Sequence, residues 1–557
     1  MPTRPISPAS PPLFVPTGRD RSPCDLLYDT PIERLDLASA REALTFAFAS
    51  GDADVFTSLL DHTPTAPTSF LAADFERDLE LARFVERCLP VVARGHARAG
   101  SRQYLLRVLS CPPTERSHVE FRQRICAELA GSPPLAERLE ELYVRLLQFR
   151  ERISRPGVGV QGSVERRLGV LDALRAVIEA LSEGFDGTTS GLRRLYDYGQ
   201  AIAQSTGYQR LTELCDYERK RAEVDLRISV GFDGRIRSFE LLEQREPRSN
   251  AFYSTPLGRL WTRLSLLIGG YQASTAELLS RLVDSVFSEL EAEVLFLFQL
   301  IGDIEIYLGA LGFRQLAERA GHAVCLPEFS SGGARLVVAL FNPWLVAEGR
   351  PCVPCDLGLL PSEHLVFITG PNSGGKTRLL QALCLTQLLG QSGLFVPAAY
   401  AELRWASGLF ASLVENHSVD PMEGRLGTEL LRIRRAFEQL RTGSMVVMDE
   451  LCSGTNPSEG EALMRLVIEA LYLLEPQAFI TTHFLGFAAR LAASAPQHRF
   501  LQAELDTREA PTYLFVDGVA KTSLAHRVAE RLGVSKAALA QLIAQNNPEL
   551  RDLPAAP

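Results

Sequence analysis

A chain of 557 residues is too long for one hydrophobic core, so two to four domains are expected. With 46% hydrophobic and 22% charged residues, the composition is ordinary for a soluble globular protein. A net charge of −9 excludes general electrostatic attraction to phosphate, so any nucleic-acid contact must come from a local basic surface.

The first stretch, "MPTRPISPASPPLFVPTGRDRSP", is Pro/Ser-rich and lacks an apolar h-region. Residues 1–29 therefore read as a disordered tail rather than a signal peptide. Residues 30–330 read as a mostly helical domain. "HVEFRQRICAELAGSPPLAERLEELYVRLLQFRER" has helical apolar spacing with a Gly-Ser-Pro-Pro break, and Val283, Val286, Leu290, Val294 and Leu297 share one stripe of a long helix. An island at 223–242 breaks this pattern. Val224, Leu226, Ile228, Val230 and Phe232 alternate up to Asp233-Gly234, the signal of a β-hairpin with a primed turn. Arg219, Lys220 and Arg221 precede it, and Arg235 and Arg237 follow the turn; these five are the candidate DNA contacts.

The apolar stretch "AEVLFLFQLIGDIEIYLGALGF" is broken by Asp303 and Glu305, so no segment reads as membrane-spanning and no membrane partner is expected. The ten cysteines are scattered as in a reduced protein, and the one C-x-x-C, Cys352 with Cys355, lacks a second ligand pair. A cytoplasmic location follows. From 331 to 557, "ARLVVALF", "HLVFITG", "SMVVMDE" and "QAFITTHF" alternate with helices, as in an α/β domain with a central sheet.

The chemistry concentrates in that second half. "TGPNSGGKT" follows an apolar strand and opens a helix, which is the context a G-x-x-x-x-G-K-T phosphate loop requires. Gly370, Pro371, Asn372, Ser373, Gly374 and Gly375 would wrap backbone N–H groups around phosphates. Lys376 would reach the terminal phosphates, and the Thr377 hydroxyl would reach Mg²⁺. Only four lysines occur in the chain, and one stands where a compact cation is needed. "SMVVMDE" then ends a buried strand in Asp449, suited to hold the metal, and Glu450, suited to position or deprotonate the attacking water. "FITTHF" ends a strand in His483, read as a γ-phosphate sensor.

These motifs, with "GLFVPA" at 393–398 and Ser453-Gly454-Thr455 after the acidic pair, resemble the ATPase domain of the MutS family, an ABC-class branch of DNA-repair ATPases. The resemblance is strong over about 335–545, where the closing segment looks like the one that packs the family's dimer, and weaker over 30–330. It implies an α/β P-loop (ABC-type) ATPase domain preceded by a mostly α-helical core/lever domain with a small β-hairpin insertion. It further implies ATP and Mg²⁺ as cofactors, a homodimer, and helical arms that close on duplex, mismatched or branched DNA. Glu450 and His483 would be catalytic, Thr377 and Asp449 would hold metal, and Gly424, Ser453, Gly454 and Thr455 would face the partner.

Four departures qualify it. Gly424 replaces the serine of the trans-acting signature, although a glycine N–H at a helix start still binds an anion. Cys352 stands where an aromatic ring would stack on adenine, which predicts weaker or less base-selective nucleotide binding. There is no room for an N-terminal mismatch-reading domain, and Phe287-Ser288-Glu289 reads as helix core rather than its wedge. No C-terminal nuclease-like module follows. The reading that results is an ATP-dependent DNA clamp acting in mismatch repair or on distorted DNA. The alternative is an ABC-type nucleotide switch whose arms hold a protein partner.

Overall fold

Helical periodicity organises the first half of the chain, and strand–helix alternation the second. The computed structural model describes residues 22–32, 37–51, 59–60, 63–98, 100–156, 159–219, 223–230, 236–245, 275–413, 424–452, 456–522, 532–534 and 536–546. Two compact units result. The first comprises Met1–Ala66, Pro90–Arg107 and Glu115–Gly312; the second comprises Pro67–Leu89, Val108–Thr114 and Phe313–Pro557. The α/β unit thus includes two short earlier segments and begins its main run at Phe313.

In chain order the helices up to the second unit's main run are α1 (Leu37–Ser50), α2 (Leu81–Cys88, in the second unit), α3 (Arg102–Ser110), α4 (Arg116–Gly131), α5 (Pro133–Ser154), α6 (Gly159–Gly184), α7 (Arg193–Ala203), α8 (Thr206–Arg219) and α9 (Thr275–Arg319). The Gly-Ser-Pro-Pro break works as expected. Helix α4 ends at Gly131 and α5 restarts at Pro133, where a missing N–H costs nothing. Helix α5 packs on α6, and α6 on α7. A two-residue ladder, β1 (Val92–Ala93) with β2 (His96–Ala97), and the hairpin β3 (Glu223–Val230) with β4 (Ile236–Arg245) complete the unit's strands among the described residues. The hairpin pairs Val230 with Ile236 across the predicted turn, whose own residues lie outside the described ones.

Helix α9 differs from expectation in one respect. Its stretch Val283–Arg319 is long and apolar enough to cross a membrane by composition, and 89% of the most apolar window is buried inside the protein. The apolarity therefore serves a core. Val283, Val286, Leu290, Val294 and Leu297 are all buried, and Phe287 stacks on Phe48 with ring centroids 3.7 Å apart. Asp303 and Glu305, expected to interrupt the apolar run, are fully buried within the helix and satisfied. Asp303 accepts from the Tyr104 hydroxyl at 2.6 Å, and Glu305 from the Tyr143 hydroxyl at 2.8 Å and the Ser101 N–H at 2.6 Å.

The expected tail also changes. Within 1–29, residues Cys24, Leu26, Leu27 and Tyr28 are buried. Arg122 donates to the Leu27 carbonyl, and Arg194 to those of Asp25 and Tyr28, so two arginines pin an apolar run that composition alone assigns to disorder.

The second unit holds two sheets. One has four strands in the order β5 (Glu328–Phe329), β9 (Tyr400–Leu403), β6 (Arg335–Leu340), β7 (Cys355–Leu359). The other has six, in the order β10 (Leu409–Ser412), β11 (Met445–Met448), β12 (Gln477–Thr481), β8 (Leu365–Thr369), β13 (Arg499–Leu505), β14 (Pro511–Asp517). All neighbours in the larger sheet run parallel except β14, the antiparallel edge. The central strands β8, β11 and β12 are buried at every position, the continuous apolar pattern of a sheet covered on both faces. Besides α2, this unit's helices after Phe313 among the described residues are α10 (Pro343–Ala347), α11 (Lys376–Gln391), α12 (Gly424–Gln439), α13 (Pro457–Tyr472), α14 (Leu485–Ser494) and α15 (Lys536–Asn546).

The early segment 67–89 is fastened to this unit through a charge. Asp78, 5% exposed, pairs with Arg432 of α12 and accepts the Leu413 N–H at 2.8 Å just after β10. Removing one partner of such a pair leaves a poorly solvated cation and an unmatched amide. Asp78→Ala is expected to destabilise the unit by about 3 kcal/mol, with Asp78→Asn costing less because it keeps an acceptor for Leu413. Thermal denaturation of the two variants checks this; midpoints equal to the parent's would refute it.

Candidate nucleotide site

The loop 370–375 can take its path because of the residues beneath it. Gly370 and Gly375 have φ of 136° and 86°, which L side chains rarely adopt. A Cβ on Gly370 or Gly374 would lie 2.8 Å from the Cβ of Ala503 on β13, so the loop lies directly over that strand. From Lys376 the chain enters α11, which is buried almost all round. The lysine itself is buried. Its Nζ donates to the carbonyls of Gly370 at 3.0 Å and Pro371 at 3.1 Å, and burial lowers its pKa against the opposing pull of Glu450 and Asp449.

Strand register brings the other groups to the same edge. Parallel neighbours β11, β12 and β8 end together, with Met448 level with Ile480 and Thr481 level with Ile368. Thr377 Oγ1 donates to Asp449 Oδ2, and Thr481 Oγ1 donates to Asp449 Oδ1 at 2.5 Å. Burial raises the Asp449 pKa despite these hydroxyls. Successive strand side chains point to opposite faces, so neighbouring carboxylates would normally diverge. Here Glu450 adopts φ 54°, a left-handed conformation that costs a non-glycine residue about 1–2 kcal/mol. Its N–H leaves the strand ladder for Thr481 Oγ1 at 2.7 Å, and its Oε1 lies 2.5 Å from His483 Nε2.

The structure thus gathers Lys376, Thr377, Asp449, Glu450 and His483. Glu429 of α12 accepts the Cys452 N–H at 2.6 Å, tying that helix to the segment after the acidic pair. Gly424 is the first residue of α12. Ser453, Gly454 and Thr455, and likewise Lys220, Arg221 and Arg235, lie outside the described residues. Arg219 ends α8 and Arg237 stands in β4.

A cavity of about 640 Å³ opens on the loop, bordered by Asn372, Ser373, Gly375, Lys376 and Thr377 on one side and by Leu345, Cys352 and Val353 on another. Two residues that sequence reasoning passed over also border it, Tyr513 and Phe515 of β14. Tyr513 is half-exposed and left-handed at φ 64°. The alternation in "PTYLFVD" marks a strand, but only the pairing of β14 beside β13 brings that strand to the loop. Thr481 was likewise passed over; its signal is the doubled threonine ahead of His483.

A strand–loop–helix cradle, a buried ammonium and two carboxylates meeting at the carboxyl edge of one parallel sheet define a P-loop domain of the ATPase class. Residues 366–547 match the family described as MutS domain V. That matching segment is about a third of the chain, and over it the chain is similar to the MutS family. It is 32% identical over 208 residues to Endonuclease MutS2 of Thermomicrobium roseum, covering 36% of this chain and 26% of that protein. It is 36% identical over 178 residues to the Thermus thermophilus protein of the same name (32% and 24%), and 28% identical over 285 residues to that of Streptococcus gordonii (50% and 35%). The matches therefore span about a quarter to a third of those relatives' length.

Cys352 has no ring to stack on a base, whereas Tyr513 and Phe515 are aromatic residues bordering the cavity, and the half-exposed Tyr513 is the one to test for stacking. Tyr513→Ala is expected to weaken nucleotide binding by about 1–3 kcal/mol, while Tyr513→Phe retains it. Titration calorimetry with ATP and GTP reads both; an unchanged alanine variant refutes the assignment.

Proposed function

We propose that the protein is an ATP-dependent DNA-binding protein of the MutS type, a homodimeric, cytoplasmic ATPase clamp acting in mismatch repair or on branched or distorted DNA. The observation that carries the reading is the convergence of Lys376, Thr377, Asp449, Glu450 and His483 in a domain that matches MutS domain V. Polyphosphate would lie along the N–H groups of 370–377, with Lys376 exchanging its two carbonyl partners for phosphate oxygens. The hydroxyl and carboxylate donor set of Thr377 and Asp449 fits Mg²⁺, which supplies charge neutralisation at the phosphates when bound. Glu450 orients the attacking water and accepts its proton, while His483 holds the glutamate and senses the γ-phosphate side.

Gly424, Ser453, Gly454 and Thr455 would complete the site of a second copy. Glycine at 424 offers that site a backbone N–H in place of a hydroxyl, so hydrolysis is slow relative to binding. DNA contact falls to the arginine-rich region of Arg219, Lys220, Arg221, Arg235 and Arg237, which would grip backbone and shape rather than read a mismatch by intercalation. A protein partner for the helical arms is the second reading, favoured by the net charge of −9 and the scarcity of lysine.

Fluorescence anisotropy with homoduplex, mismatched and four-way-junction DNA, with and without ATP at two salt concentrations, separates the two. Salt-sensitive binding that ATP modulates is expected, and absence of binding to all three at low salt would move the assignment to a protein partner. In the same preparation Glu450→Gln should bind ATP and lose hydrolysis by at least about 100-fold, and a variant that hydrolyses like the parent removes Glu450 from the mechanism.

A further inference from the structure

We infer that Thr481 is the positioning residue of the hydrolytic site, its one hydroxyl orienting both carboxylates at once. The inference rests on the hydrolysis reading above and deepens it. Thr481 is fully buried at the end of β12, the strand between β11, which leads into the acidic pair, and β8, which leads into the phosphate loop. Its Oγ1 accepts the N–H of Glu450 at 2.7 Å and donates its single proton to Asp449 Oδ1 at 2.5 Å. The chain of donation has one direction, from Glu450 N–H through the hydroxyl to Asp449. It requires a side chain that both gives and takes a hydrogen bond.

Each bond does a separate task. The first gives an acceptor to a backbone N–H that the left-handed turn at Glu450 (φ 54°) has taken out of the ladder. That turn brings the Glu450 carboxylate to His483. The second bond holds one oxygen of Asp449, so that its other oxygen faces Thr377. Glu450 is therefore gripped at its backbone by Thr481 and at its carboxylate by His483, two residues apart on one strand end. Thr481 does not line the cavity, so its effect passes through the two carboxylates.

The test compares Thr481→Val, which keeps the shape and removes both bonds, with Thr481→Ser, which keeps the hydroxyl. Steady-state ATP hydrolysis, ATP binding in EDTA and the Mg²⁺ concentration for half-maximal rate are measured for the full chain. The valine variant is expected to lose kcat about 100-fold, the cost of a misplaced reacting group, and to need more Mg²⁺. Its ATP affinity in EDTA should equal the parent's, which also shows that it folds. The serine variant should restore kcat. Hydrolysis by the valine variant at the parent's rate overturns the inference. So does an equal loss in both variants, which would assign the effect to the lost methyl group. Parent protein that binds ATP but shows no hydrolysis overturns the hydrolysis reading itself, and this inference with it; the two failures are thus told apart by the parent alone. If the valine variant does not bind ATP in EDTA, Thr481→Cys replaces it, and a rate equal to the serine variant's would overturn the role of the strong hydroxyl bonds.

Discussion

The carboxylate of Asp449 is held between two threonine hydroxyls, and the rest of the site is arranged around that grip. Thr377 is the second residue of α11, Thr481 closes β12, and Asp449 follows β11. One side chain thus joins the phosphate-loop helix to two strands of the sheet. Burial pushes the Asp449 pKa up while both hydroxyls and Lys376 pull it down, and burial pushes Lys376 down while both carboxylates pull it up. The charges are mutually supporting: each would be costly in this buried setting without the others. Two carboxylates set against one ammonium leave a surplus of negative charge beside a loop shaped for phosphates.

That grip depends on parallel register. Lys376, Asp449 and His483 are separated by dozens of residues, yet each follows a strand whose neighbours end at the same level. Parallel strands joined by crossovers place successive loops on one edge, and this is where open α/β sheets bind ligands. The antiparallel edge strand β14 breaks the rule and supplies what the rule cannot. Reversing direction beside β13 brings Tyr513 and Phe515 to the loop's flank, adding two aromatic residues to the apolar lining that Leu345 and Val353 begin.

Much of this was legible in the chain. The glycines of the phosphate loop announce positive φ and close approach, the all-apolar strands announce burial on both faces, and the terminal Asp-Glu and His are carried by strands that the pattern fixes. The features that escaped share a physical cause: they depend on contacts between segments distant in sequence. The doubled threonine ahead of His483 marks the position of Thr481 but not its role as a bridge, since its partners are 31 and 32 residues away. Nor does the composition of residues 22–28 reveal that Arg122 and Arg194 bind its carbonyls. Asp303 and Glu305 read as breaks because a buried carboxylate is improbable until its hydroxyl and amide donors are known. Segment 67–89 joins the α/β unit through Asp78 and Arg432, a pairing 354 residues apart.

The rigidity beneath the loop has a comparable origin in Arg335 of β6. This side chain is 2% exposed, and Nη2 donates to Gln387 of α11 at 2.5 Å and to Gln477 of β12 at 2.7 Å. Its hydrogen-bond partners are neutral, and burial lowers its pKa to about 10. At neutral pH it is still a cation, and its planar fork spans a strand of one sheet, the phosphate-loop helix and a strand of the other. A hydrophobic residue could fill the same volume at less cost in desolvation, but it could not fix the helix's rotation against both sheets. Helix α11 is buried almost all round, and its Gln387 and Gln391 also donate to the carbonyls of Arg404 and Ala406. The rotation matters because Lys376 and Thr377 form its first turn. A quarter turn would move the ammonium off the loop axis and the hydroxyl off Asp449, so the arginine acts together with these amide contacts to favour one orientation of that helix.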